Sequence, residues 1–234
     1  MKKILLLHGW DWRNYTKLTT SRNPWHNRIK FINALKKEYE VYELTFPGFC
    51  GVKEPDSAWN LDDYALYVNS YIRTSNIKFD YILGYSFGGA VAIRYHLLFD
   101  NYQKLILVSP AITRNSDKSV KFIQTPEILK PLRKVVKDLY LKYIVKNNYM
   151  IHGTKFLNDS YQNIVRVDLT EDIKNIKPYN FKIIYGSEDN MVNPEKVINS
   201  LSKEYKKRVF VIPGGTHDIA NTHAKEILQI IKKW

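Results

Sequence analysis

The chain has 234 residues, of which 44% are hydrophobic and 14% aromatic, spread along its whole length. This composition excludes a disordered or fibrous protein, and the length suits one globular domain rather than two full ones. A net charge of +13 admits acidic partners such as nucleic acid, anionic lipid or an acidic carrier protein, but it speaks to association and not to fold.

The opening Met1-Lys2-Lys3 and the apolar run after it resemble a signal peptide only briefly, because the run stops at His8 and no small-residue cleavage site follows. Lys3 to Leu7 is therefore expected as a first strand. A helix over Trp25 to Glu38 and a strand over Glu40 to Thr45 follow, the strand ending at the turn Phe46-Pro47-Gly48. Next come a helix over Leu61 to Arg73, a strand over Asp80 to Gly84, a helix over Gly88 to Phe99 and a strand over Lys104 to Ser109. Two more strands are expected at Phe181 to Tyr185 and Arg208 to Ile212, with helices at Glu195 to Lys203 and Ala224 to Lys232. Six strands linked by helices predict a doubly wound, mostly parallel α/β sheet.

One stretch breaks the alternation. Ala111 to Val165 has helical periodicity and no strand, which predicts a small inserted helical cap and leaves 1–110 and 166–234 as the α/β core. The cap's basic residues outnumber its acidic ones ten to four, and Arg13, Lys17, Arg22, Arg28 and Lys30 add charge near the expected entrance. A substrate that is anionic, or is presented by an acidic carrier protein, would be steered by such a rim. Aromatic residues of the cap, Phe122, Tyr140, Tyr143, Tyr149, Phe156 and Tyr161, are candidates for its core or for an acyl pocket. No helix-turn-helix, zinc or single-strand-binding pattern supports specific nucleic-acid binding. No run of about 18 apolar residues offers a transmembrane helix, and the lone Cys50 forms no internal disulfide; both point to a cytoplasmic protein.

The sharpest chemical signal is Gly84-Tyr85-Ser86-Phe87-Gly88-Gly89, placed between a strand and a helix. This Gly-x-Ser-x-Gly spacing thrusts a serine out on a tight turn, where glycines avoid collision with the neighbouring strand and helix. A serine hydroxyl needs a base within hydrogen-bond reach. His217 follows the last predicted strand in the loop Pro213-Gly214-Gly215-Thr216-His217-Asp218, at the same sheet edge as Ser86, whereas His26, His96, His152 and His223 fall in helical or cap segments. Asp189, in the loop after the fifth strand, is the candidate to orient the base, with Glu188 beside it as an alternative. Asp218, adjacent to His217, suits a helix cap better.

With the chain order Ser86, Asp189, His217, the sequence resembles the α/β-hydrolase superfamily, in particular its capped carboxylesterase-like branch, in which a His-Gly pair closes the first strand. The resemblance implies an oxyanion hole from the backbone amides of Trp10 and Phe87, and it places His8, Gly9 and Tyr85 beside the substrate. Pro47-Gly48-Phe49-Cys50-Gly51 matches the family's turn after the second strand. Asp11 stands where relatives often have glycine, Thr45 where they often have aspartate, and Arg13 to Asn23 resembles an insertion. His8-Gly9-Trp10 is also similar to the start of the carrier-protein methyl-ester esterases of biotin synthesis. The expected function is hydrolysis of a small-molecule carboxylic ester or related acyl bond through an acyl-enzyme, with no metal and no organic cofactor. A carbon-carbon bond hydrolase or lactonase on the same triad, and a non-catalytic ligand receptor on a hydrolase scaffold, are the alternatives.

Overall fold

Helices on both sides of a parallel sheet require strands that are apolar on both faces. The runs Ile4-Leu5-Leu6-Leu7 and Leu105-Ile106-Leu107-Val108 meet that requirement. In the computed structural model, which describes residues 1–99, 102–113 and 147–234, six strands pair in parallel throughout: β1 (Lys2–Leu7), β2 (Tyr39–Leu44), β3 (Tyr81–Tyr85), β4 (Lys104–Val108), β5 (Phe181–Gly186) and β6 (Val209–Ile212). Their spatial order is β2-β1-β3-β4-β5-β6. The helices among the described residues are α1 (Ile29–Leu35), α2 (Leu61–Ser75), α3 (Phe87–Phe99), α4 (Asn148–His152), α5 (Lys155–Ile164), α6 (Thr170–Lys174), α7 (Pro194–Ser200), α8 (Lys203–Lys206), α9 (Ile219–Thr222) and α10 (Ala224–Lys232).

Strand side chains alternate between two cores. Leu5, Leu7, Ile82, Leu105, Leu107 and Ile183 pack with residues of α2 and α3. Ile4, Leu6, Leu83, Ile106, Val108 and Ile184 pack with residues of α1 and α10 on the opposite face. All of these strand residues are fully buried, and each contributes about 1.5–3 kcal/mol relative to an exposed position. The doubly wound parallel sheet is thus as expected, with each strand end within a residue or so of its predicted place.

Two expected helices are shorter. The Trp25 to Glu38 helix is a 3-10 turn, His26–Arg28, followed by α1; Asn23 Oδ1 accepts from the Trp25 amide at 2.7 Å and starts that tight turn. The Glu195 to Lys203 helix stops at Leu201, whose backbone is extended (ψ 144°), so α7 and α8 form two short pieces. The short α6 and α9 carry too few residues for a periodic signal and are not foreseen. Of the expected cap, residues 114–146, with Phe122, Tyr140 and Tyr143, lie outside the described residues. Residues 147–165 hold α4 and α5. Thr154 caps α5 by accepting from the Leu157 amide at 3.2 Å, and α5 buries Phe156, Leu157, Tyr161 and Ile164 at helical spacing. Among the described residues no helix is long and apolar enough to cross a membrane.

The strand order reverses between β1 and β3. In open parallel sheets, that reversal leaves a crevice at the carboxyl ends of the strands. Leu7 pairs with Gly84, so the loop after β1 and the turn after β3 leave the sheet side by side.

Candidate active site

Ser86 sits at the turn between β3 and α3 with φ of +53°, a left-handed conformation that is costly for a residue with a side chain. The flanking glycines are obligatory. A Cβ on Gly84 would come within 2.4 Å of the Gly88 carbonyl oxygen, and one on Gly88 within 2.1 Å of the Leu7 carbonyl oxygen. The turn is held by the Ser86 amide donating to Val108 O at 3.0 Å, while Ser86 O accepts from the amides of Gly89 and Ala111. The serine Oγ therefore projects from an over-determined backbone at the start of a thirteen-residue helix.

His217 enters from the loop after β6. That loop packs tightly on the one after β5: a Cβ on Gly186 would lie 2.1 Å from Gly215 O, and the Glu188 amide donates to Gly215 O at 2.8 Å. The packing brings Asp189 Oδ2 to 2.9 Å from His217 Nδ1, and His217 Nε2 to 2.9 Å from Ser86 Oγ. A carboxylate only accepts, so Nδ1 carries the proton and Nε2 presents its lone pair to the serine hydroxyl. Asp189 is itself held: Oδ1 accepts from the amides of Met191 and Val192 at 3.0 and 3.2 Å, and its side chain is fully buried. Glu188 is exposed, and among the described residues its hydrogen bonding is the backbone contact to Gly215.

The loop after β1 faces this array. Gly9 packs so closely that a Cβ there would meet the Tyr85 ring at 2.8 Å and Ser86 Cβ at 3.3 Å. The amides of Trp10 and Phe87 make no hydrogen bond among the described residues, so both remain able to donate to an oxyanion. The Trp10 ring packs edge-on against Phe87 and Phe49 and donates its Nε1 to the Tyr15 hydroxyl at 2.7 Å.

His8 occupies a place like that of His217, past the end of a strand, yet it is bonded quite differently. Its ring is buried, Nδ1 donates to Gly9 O at 2.8 Å, and Nε2 accepts from the Phe46 amide at 3.0 Å. Burial pushes its pKa down to about 4, so it is a neutral brace between the loops after β1 and β2.

A cavity of about 320 Å³ opens beside Ser86 and His217. His8, Gly9, Trp10 and Tyr85 line it, as do Tyr149 and Tyr161 from α4 and α5; these two tyrosines stack at 5.1 Å. Phe156 packs away from it against Trp59. Two arginines lie in the wall. Arg13 holds Asp11 through Nε and Nη2 at 2.9 and 2.7 Å, so Asp11 is half of a rim ion pair. Arg28 holds Asp218 at 2.7 Å. That contact corrects the sequence reading of Asp218 as a helix cap: it stands before α9, but its side chain makes no capping bond and turns to Arg28 instead. Nothing in the sequence flagged Arg28 beyond its charge, since its partners Tyr85 and Asp218 lie 57 and 190 positions away. Cys50 is buried on a left-handed turn, its thiol pushed up to about 11 by burial, and it has no base of its own. The described residues include no cluster of His, Cys, Asp and Glu suited to a metal ion.

The family model described as "Alpha/beta hydrolase family" matches residues 4–230. A curated relative, the proline iminopeptidase of Flavobacterium johnsoniae, is 28% identical over 167 residues, which are 64% of this chain and 53% of the relative. The chain thus spans about half the length of that relative. Among solved structures, the esterase from Exiguobacterium antarcticum superposes with a TM-score of 0.64 at 15% identity, covering 100% of this chain and 91% of the other. The meta-cleavage product hydrolase from Pseudomonas fluorescens superposes with a TM-score of 0.63 at 17% identity, again covering 100% and 91%. At these identities the superpositions carry the fold alone.

Proposed function

The chain belongs to the alpha/beta hydrolase family, and from that premise we propose that it is a serine hydrolase that cleaves a carboxylic ester through an acyl-enzyme intermediate. The observation that carries this reading is the unbroken relay from Asp189 through His217 to Ser86 Oγ, with both links at 2.9 Å, at the wall of a cavity. In the first half-reaction Ser86 Oγ attacks the ester carbonyl while His217 Nε2 takes its proton. Asp189 keeps the imidazole in the required tautomer and stabilises the imidazolium. The amides of Trp10 and Phe87 stabilise the oxyanion, each such donor being worth about 10²–10³ in rate. Collapse expels the alcohol, which receives the proton from His217. In the second half-reaction water, deprotonated by His217, attacks the acyl-serine and releases the carboxylic acid. No step draws on a metal or an organic cofactor. In this reading residues 111–165 are the cap, α4 and α5 being its described helices, and the tyrosines they contribute face the acyl or alcohol group.

The test is turnover of p-nitrophenyl acetate, butyrate and octanoate by the wild type and by Ser86→Ala. Turnover of at least one ester, lost in Ser86→Ala, together with Ser86-dependent labelling by a fluorophosphonate, is the expected result. Because a relative is named a proline iminopeptidase, prolyl p-nitroanilide is the informative counter-substrate. Labelling without ester turnover would turn the assignment toward that amide, or toward a carbon-carbon or lactone substrate on the same triad. No labelling at all would leave a ligand receptor on a hydrolase scaffold.

A further inference from the structure

A buried guanidinium is an expensive thing to keep in a cavity wall. Arg28 is 7% exposed, and among the described residues its Nε has no hydrogen-bond partner. Among the described residues Nη2 lies 2.7 Å from Asp218 Oδ1 and 3.2 Å from the Tyr85 hydroxyl, and the guanidinium lies over the Tyr85 ring, 4.5 Å from its centre. Tyr85 in turn reaches across, its hydroxyl 3.2 Å from His217 O and 3.3 Å from Asp218 Oδ1. Tyr85 immediately precedes Ser86, and Asp218 immediately follows His217. The cluster therefore joins the residue before the nucleophile to the residue after its base.

Stability alone is a weak reason for such an arrangement. The Asp218 side chain is 39% exposed, so solvent screens its pairing with the buried guanidinium, and such pairs contribute little net stability. The arrangement makes physical sense if its product is geometry: the Ser86 Oγ to His217 Nε2 contact depends on two loops that are far apart in sequence, and displacement by about 1 Å in such a contact can cost about 10²-fold in rate.

We propose that Arg28 is a positioning residue which, through Asp218 and Tyr85, locks the His217 loop against the nucleophile turn. The proposal rests on the serine-hydrolase reading above. It acts without touching substrate: the guanidinium pins Asp218, the Tyr85 hydroxyl pins the His217 carbonyl, and the imidazole is left one orientation in which Nε2 faces Oγ.

The experiment uses Arg28→Met, which keeps apolar volume and removes the charge, and Tyr85→Phe, which removes only the hydroxyl. Each is made in the wild type and in His217→Ala, with kcat and KM measured on a p-nitrophenyl ester and thermal unfolding followed in parallel. For Arg28→Met the expected result is a kcat loss on the order of 10–100-fold, with KM changed by less than about 3-fold and the unfolding temperature near that of the wild type. Tyr85→Phe should lose kcat in the same sense by a smaller factor. In His217→Ala neither change should lower the residual rate further, because residues acting through one group are non-additive. Wild-type kcat in the folded variants would overturn the proposal, as would a loss confined to KM or a loss of equal size with and without His217. If Arg28→Met fails to fold, Tyr85→Phe decides the question alone. Should His217→Ala itself keep full activity, it is the serine-hydrolase reading that fails, a result distinct from normal activity in Arg28→Met beside an inactive His217→Ala.

Discussion

Two histidines follow the ends of parallel strands on the same edge of the sheet, and their surroundings give them opposite work. His217, on the loop after β6, has each ring nitrogen 2.9 Å from a side-chain oxygen, Asp189 Oδ2 on one side and Ser86 Oγ on the other, and it is 18% exposed to the cavity. His8, just past β1, has both nitrogens bonded to backbone groups and almost no exposure. A ring held by a carboxylate on one nitrogen can take the proton of the hydroxyl on the other and hand it on to a leaving group. A ring whose partners are an amide and a carbonyl is an immobile spacer. The difference lies in what the neighbouring loops offer, and not in the residue or in its place past a strand end.

The largest effect that would break this comparison is on rate. On the proposed mechanism, His217→Ala is expected to lower kcat on a p-nitrophenyl ester by at least about 10⁴-fold with little change in KM, since a general base acts in the transition state. His8→Ala should fall far short of that factor. A His8→Ala variant as inactive as His217→Ala, yet still folded, would mean that the brace and not the relay holds the chemistry. Next in size, Asp189→Asn should cost about 10²–10⁴-fold in kcat, because an amide nitrogen facing Nδ1 favours the wrong tautomer. Glu188→Gln, at the exposed neighbour, should leave kcat within about 2-fold.

How much of this contrast was legible beforehand follows from the range of the interactions involved. The inner strands were readable because strands buried on both faces appear as nearly continuous apolar runs, and the partly buried edge strands β2 and β6 through their β-branched and aromatic residues and the turns that bound them. Ser86 was readable because the glycine spacing is dictated locally: the clashes of Gly84 and Gly88 arise within the turn itself and with the adjacent strand. His217 and Asp189 were reached through topology, as loop residues after the last two strands. The choice between Asp189 and Glu188 needed the turn, in which the Met191 and Val192 amides bind the Asp189 carboxylate. Asp218 and Arg28 were unreadable as partners, because nothing in the neighbourhood of either points to a residue so distant in the chain. The braced character of His8 was equally hidden, since its two bonds are to main-chain atoms that leave no mark in the side-chain pattern.

A smaller effect sharpens the comparison through pH. His8 is held neutral, with a folded-state pKa of about 4 against an ordinary value of 6.5. Between those values the unfolded chain binds a proton that the folded chain refuses, so His8's contribution is complete above about pH 6.5 and is lost as pH falls toward 4. The loss amounts to about 3 kcal/mol, at roughly 1.4 kcal/mol for each tenfold difference in proton affinity between the folded and unfolded chains. Denaturant unfolding of the wild type and His8→Gln at several pH values should show the two curves converging as pH drops from about 7 to about 4. Parallel curves would mean that His8 is not a buried neutral group.

The smallest effect concerns the backbone that each histidine serves. His8 lies on a strand exit outside the left-handed region, whereas the hydroxyl beside His217 sits on a residue held at φ +53°. A side chain in that region costs about 1–2 kcal/mol, and glycine avoids the cost while adding some freedom to the unfolded chain. Ser86→Gly should therefore be inactive yet more stable than Ser86→Ala by about 0.5–1 kcal/mol, measured as a shift in denaturant midpoint at constant slope. Equal midpoints would place no strain at the turn. A more stable glycine variant would show that backbone energy is stored at the proposed nucleophile, and that the fold gives up stability at Ser86 to hold its hydroxyl against His217.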